Sequence, residues 1–202
     1  MDTTEKKVRV PRDAHEMILK NALDYFNGGM EHEDAQSVWK KAIAYSECFF
    51  PDEDARTTAI SHLNLMKDFY RKRKDHEREV VCVRAMAEFG EDAGSQNLMG
   101  RFYSQGIGLE KDKLAALYWF NKAEEQGDLE SKADCENIFQ KYYSSLSRED
   151  FAEQIGTLAQ WCRTGRGPVP LDQERGAYWT GRMEKALSTQ ERLFKDGRHE
   201  FD

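Results

Sequence analysis

A glycine-spaced turn followed by a helix bearing aspartate and tryptophan occurs twice in this chain, and that recurrence limits the fold more than any other feature. The first copy lies in "GRFYSQGIGLEKDKLAALYWFNKAEEQG", Gly100 to Gly127. The second, "LAQWCRTGRGPVPLDQERGAYWTGRM", follows 59 to 60 residues later. Leu158 stands for Met99, Ala159 for Gly100 and Cys162 for Tyr103, while Gly165 and Gly167 match Gly106 and Gly108. After one extra loop residue, Asp172 and Trp179 match Asp112 and Trp119. Each element has a physical role. Gly100 removes a side chain where two helices approach, and Gly106 sits where a helix end needs positive φ. Asp112 accepts backbone N–H bonds at the next helix start. Ala116, Trp119, Phe120 and Ala123 then share one face at helical spacing. A unit of this size cannot bury its apolar face alone, so recurrence means stacked helical hairpins.

The rest of the chain obeys the same punctuation. Its four prolines, Pro11, Pro51, Pro168 and Pro170, fall at helix boundaries and never inside a periodic segment, where each would cost about 3 kcal/mol. Ala14, Ile18, Ala22, Tyr25 and Phe26 form a first apolar stripe, stopped by Gly28 and Gly29. Ala35, Val38, Trp39, Ala42 and Ile43 form a second, ended by Pro51. Asp52 is the expected cap of a third helix with stripe Ala59, Leu63, Met66 and Tyr70. "EVVCVRAMAEFG" has strand-favouring valines, but nothing in the chain reads as a partner strand, so it is expected to be helix ended by Gly90. Further helices are expected near Gly94–Gln105, Asp112–Gln126, Leu129–Tyr143, Arg148–Thr164, and from Asp172 toward Lys195. The expectation is an all-α chain of about nine helices forming a single continuous array. A flexible tail occupies 1–10, helical hairpins 11–90, and the repeat region 91–195.

These residues resemble the Sel-1-like repeat family, a branch of the tetratricopeptide-like helical repeats. Its motif runs small-x-x-x-Leu-Gly-x-x-Tyr-x-x-Gly-x-Gly-Val, then Asp-x-x-Lys-Ala-x-x-Trp-Tyr-x-Lys-Ala-Ala-Glu-x-Gly. Here it reads Ser95, Met99, Gly100, Tyr103, Gly106, Gly108, Leu109, then Asp112, Ala116, Trp119, Phe120, Lys122, Ala123, Glu125 and Gly127. One copy covers 94–130. The other, 154–187, departs at Gly176 and Met183, where the motif has alanine. Copy spacing exceeds the family's usual ~36–40 residues, which makes the helix at 129–143 an insertion or a worn half-repeat. In 11–90, "DYFNGGMEHEDAQSVWKKA" shares only the residue types. The resemblance implies a right-handed superhelix of antiparallel helix pairs whose concave side binds a protein or peptide, acting as adaptor or scaffold without chemistry of its own.

Composition narrows the alternatives. Thirty-seven acidic residues against thirty basic give a net charge of −7, which disfavours binding to nucleic acid by phosphate neutralisation. The polar start MDTTEKKVRVPRD is not a secretory leader, and no stretch approaches the ~20 apolar residues of a membrane span. Cys48, Cys82, Cys135 and Cys162 are far apart, with no metal-ligand spacing, and fit free thiols in a cytoplasmic protein. No metal and no cofactor is expected. His15, His32, His62, His76 and His199 are scattered, and "HEMIL" lacks the second histidine of a metalloprotease helix. Gly106-Ile107-Gly108 has no preceding strand and so reads as a structural turn, not a phosphate cradle. The run Tyr70–Glu79 reads as a solvated helix end whose cations complement the helix dipole. Trp119, Trp161 and Trp179 are expected in the core.

Helical-wheel position nominates Asn97, Arg101 and Ser104, with Arg163 in the later copy, as the ligand-facing polar residues. The leading functional expectation is a protein or peptide binder. The alternatives are an enzyme or small-ligand binder using groove Cys or His, and a self-associating structural protein, a homodimer in its simplest form.

Overall fold

The computed structural model describes residues 20–21 and 34–188. The first apolar stripe, its glycine stop, the N-terminal tail and the extension past Ser188 lie outside the described residues, apart from Lys20 and Asn21 in a helix. The described part is all-α. Its eight α-helices are α1 (Ala35–Phe49), α2 (Ala55–Lys72), α3 (His76–Glu88), α4 (Ala93–Gln105), α5 (Lys113–Glu124), α6 (Leu129–Ile138), α7 (Arg148–Thr164) and α8 (Gln173–Ser188). Valine-rich "EVVCVRAMAEFG" is helical, in α3, because no strand exists among the described residues to accept its backbone. Packing divides the chain into two compact units, Met1–Ala85 and Met86–Asp202.

In the first unit, α1 pairs with α2. Val38, Ala42 and Tyr45 of α1 are buried, as are Ala59, Leu63, Met66 and Tyr70 of α2, so both expected stripes face inward. Trp39 is only half-buried. Pro51 ends α1 as expected, but the cap of α2 is Asp54, not Asp52. Asp52 falls within the turn after Pro51, and Asp54 Oδ2 accepts the Thr57 N–H at 2.7 Å. At the α2–α3 corner the buried Glu79 carboxylate accepts from Arg71 Nε at 2.6 Å and lies 2.8 Å from His76 Nδ1. The basic run is thus largely engaged: Arg73 lies over the Phe69 ring, and Arg78 pairs with Asp75.

In the second unit, α4 pairs with α5 and α7 with α8, forming the two expected hairpins. Met99, Phe102, Tyr103, Ala116, Trp119, Phe120 and Ala123 bury one interior; Leu158, Ala159, Cys162 and Trp179 bury the other. Trp119 is 0% exposed and Trp179 1%. Trp161 corrects the expectation: it is half-buried, lying against Gly167, where a Cβ would sit 2.4 Å from the indole. It occupies the register of Phe102, and the second copy has no further repeat among the described residues to cover it. The segment Leu129–Tyr143 is α6 followed by a π-helical turn, Phe139–Tyr143, with Ser144 N–H donating to the Phe139 carbonyl. That turn brings Phe139 and Tyr143 onto the same aromatic cluster as Phe151 of α7.

Candidate interaction surface

The two turns that define the repeat share their main bonds, although Ile107 N–H donates to the Phe102 carbonyl while Arg166 N–H, at the matching position, donates to Thr164 Oγ1. Gly106 and Gly165 both take the left-handed conformation, φ 77° and 63°, which favours glycine. Gly106 N–H donates to the Phe102 carbonyl, and Gly165 N–H to that of Trp161. Asp112 N–H reaches back to Tyr103 O, and Asp172 N–H to Cys162 O. Asp112 Oδ1 then accepts Ala115 N–H, and Asp172 Oδ1 accepts Arg175 N–H. The Gly106 and Ile107 amides therefore point into the preceding helix end and do not form an anion cradle, in keeping with the turn expected from sequence.

The four nominated residues do not share one environment. Asn97 is not a surface residue. It is 7% exposed, and its amide donates to Asp128 Oδ2 at 2.9 Å and Ser131 Oγ at 2.8 Å. No local signal marked this because the partners lie more than thirty positions away, at the start of α6. Burial by itself would raise the Asp128 carboxyl, but the bonds from Ser131 and Asn97 override it and hold the group below its ordinary value. Arg101 is half-buried and paired with Glu130, with Asp134 3.8 Å away. Burial raises Asp134, and Arg101 opposes that rise. Ser104 donates to the Arg101 carbonyl within its own helix. Arg163 is exposed, and its stem lies against Gly176.

A polar joint that sequence reading missed connects the two hairpins. Tyr118 Oη of α5 donates to Asp172 Oδ2 at 3.0 Å, and Lys122 Nζ lies 3.5 Å from the same oxygen. Arg175, 7% exposed, donates to Asn121 Oδ1 and makes a two-pronged bridge to Glu125. On the other side, Tyr103 Oη donates to the Pro168 carbonyl at 2.8 Å. Asp172 was visible as a cap. Its second use was not, although Lys122 and Glu125 belong to the motif and, with Tyr118 and Asn121, sit three to four residues apart on one face of α5.

The remaining chemistry-bearing groups are poorly placed for reaction. Burial pushes the Cys82 and Cys162 thiols up to about 12 and Cys135 further, away from the thiolate a nucleophile needs. Cys48 is exposed. His62 is buried between the Tyr45 and Phe50 rings, and burial lowers its pKa against the opposing charge of Glu53. No group of three or more His, Cys, Asp or Glu that could hold a metal occurs among the described residues.

Residues 93–128 and 157–182 match the family described as Sel1 repeat. These two segments coincide with the α4–α5 and α7–α8 hairpins. No curated protein matches the chain. Among solved structures it is similar to the crystal structure of a Sel1 repeat protein from Oxalobacter formigenes, 17% identical over 88% of this chain and 91% of that one, with a TM-score of 0.33.

Proposed function

We propose that this chain is a non-enzymatic interaction module, an adaptor or scaffold that binds a protein or peptide through the groove lined by its repeat helices. One observation carries this: the residues that repeat are committed to packing. Trp119 and Trp179 fill the cores, the glycines and aspartates build the turns, and three of the four cysteines are buried with raised thiol pKa values. A scaffold of that kind offers surface, and surface residues vary without loss of fold. Arg163 is the nominated residue best placed to meet a partner, with Arg101 reachable by exchange of its carboxylate partners. A cytoplasmic location accompanies this function, since widely spaced free thiols suit a reducing compartment.

The test is affinity capture from the native host with wild type against Arg101→Glu/Arg163→Glu. A defined protein retained by the wild type and lost by the variant, at unchanged helicity, is the expected result. Turnover of a small molecule by purified protein that captures nothing would overturn it. Sedimentation distinguishes the case in which the captured partner is a second copy of the chain.

A further inference from the structure

The α7–α8 turn keeps the residues that build the α4–α5 turn and changes those around them. Gly165, Asp172 and Trp179 repeat Gly106, Asp112 and Trp119, but Phe102 has become Trp161, Ser104 has become Arg163, Ile107 has become Arg166 and Lys111 has become Leu171. We propose that Trp161, Arg163, Arg166 and Leu171 form a docking point for an acidic segment of a protein partner that also carries apolar side chains. This rests on the interaction-module function proposed above and names the chemistry of the partner.

The turn gathers these residues at one end of the hairpin. Trp161 lies against Gly167, and Leu171 lies against Gly165, 3.4 Å from a would-be Cβ. Arg166 stands between those two glycines. The Arg163 carbonyl accepts from Gln173 Nε2 at 3.0 Å, which ties the end of α7 to the chain just past Leu171. Leu171 is 62% exposed, Trp161 is half-buried and both arginines are exposed. Arg71, Arg78, Arg101 and Arg175 each have a carboxylate in place, whereas Arg163 and Arg166 form no ion pair among the described residues. The nearby Asp172 does not neutralise them: its Oδ1 accepts the Arg175 N–H and its Oδ2 the Tyr118 hydroxyl. Glu174, exposed on the first turn of α8, is bonded to neither arginine.

Charge complementarity argues for this occupant. In a chain of net −7, two uncompensated guanidiniums beside an exposed leucine and a half-buried indole make a local cationic patch. Guanidinium holds carboxylate in a two-pronged, geometrically specific bond and is weakly hydrated, so it loses little on binding. Trp and Arg are the side chains that most often carry binding energy at protein interfaces, and the exposed leucine adds apolar area for a partner to cover. The overall negative charge repels a nucleic-acid backbone, while a short acidic segment meets only the local patch.

The probe is a fluorescein-labelled peptide of alternating Glu and Leu, read by anisotropy, with a Gln–Leu peptide, a thymidine oligonucleotide and phosphatidylserine vesicles in parallel. Wild type is expected to bind the Glu–Leu peptide and none of the others. Arg163→Glu/Arg166→Glu is expected to weaken binding about tenfold or more, and Trp161→Ser/Leu171→Ser by a similar factor. Lys40→Glu/Lys132→Glu, which changes net charge equally elsewhere, is expected to leave it unchanged. The difference in acrylamide quenching between wild type and Trp161→Phe reports on Trp161, and it is expected to shrink when the peptide is bound. Far-ultraviolet circular dichroism confirms that each variant is folded. Absence of Glu–Leu binding, equal binding of the two peptides, oligonucleotide or vesicle binding in their place, equal weakening by both charge-reversed pairs, or an unshielded Trp161 overturns the assignment. A native partner captured equally by wild type and Arg163→Glu/Arg166→Glu removes this site while leaving the interaction-module function standing.

Discussion

At the residue scale, the second repeat departs from the first in pairs. Gly100 lies under Phe120, where a Cβ would come within 2.5 Å of the ring. In the second copy the small residue has become Ala159 and the facing aromatic has become Thr180. Gly176 replaces the motif alanine at Ala116, and the position of Ser104 is taken by the longer Arg163, whose stem fills the space at 2.6 Å from a would-be Cβ. Gly156 replaces Asn97 where Met183 replaces Ala123, and Met183 Sδ lies 2.9 Å from a Cβ at Gly156. The residues that make the second copy look degenerate are thus volume exchanges across one helix pair. Gly100→Ala should therefore destabilise by about 1–3 kcal/mol despite alanine's better helix propensity, because a ring cannot yield as a flexible chain can. Phe120→Thr alone should cost about 3 kcal/mol or more. The double variant should cost less than the sum, and denaturant titration of the four proteins reads that coupling. Gly176→Ala should be far milder than Gly100→Ala, since the exposed Arg163 stem can swing aside.

At the element scale, the excess spacing between copies is absorbed by α6 and its π turn, which pack on α5 while the two hairpins keep direct hydrogen bonds to one another. The helix at 129–143 thus lies between repeats that remain in contact. The helices and turns were legible because period, glycine and proline act locally. Asp54 displaced Asp52 as a cap because Pro51 opens a turn before the helix begins, and Asn97 looked exposed because the helix that covers it, α6, lies between the two copies. The π turn left no local mark, and the joint at Asp172 could not be read because it depends on which helices meet. That joint makes the two caps unequal. Asp112→Ala should cost about 1 kcal/mol, the loss of a cap. Asp172→Ala should cost roughly 1 kcal/mol more, because it also strands the buried Tyr118 hydroxyl and deprives Lys122 of its partner. Thermal or urea unfolding of the two variants checks the order, and Tyr118→Phe should shrink the difference.

At the scale of the whole molecule, the division into two compact units predicts that acid acts on them unequally. The five histidines include two described ones, His62 and His76, both in the Met1–Ala85 unit, and none among the described residues of the other. His62 is buried between aromatic rings, its Nδ1 has no hydrogen-bond partner among the described residues, and its burial disfavours the imidazolium. The unfolded chain therefore binds this proton more tightly than the folded one. As pH falls through the ordinary histidine value of about 6.5, unfolding takes up a proton that the folded state resists, and stability declines; above that value the group contributes no pH dependence. Hydrogen exchange, corrected for the intrinsic rate at each pH, should show protection falling between pH 7 and 5 in residues 34–85 more than in 86–188. His62→Leu, which places an apolar side chain between Tyr45 and Phe50, should flatten the response in the first unit and leave the second unchanged. Equal loss of protection in both units, or a wild-type slope retained by His62→Leu, would remove His62 as its source.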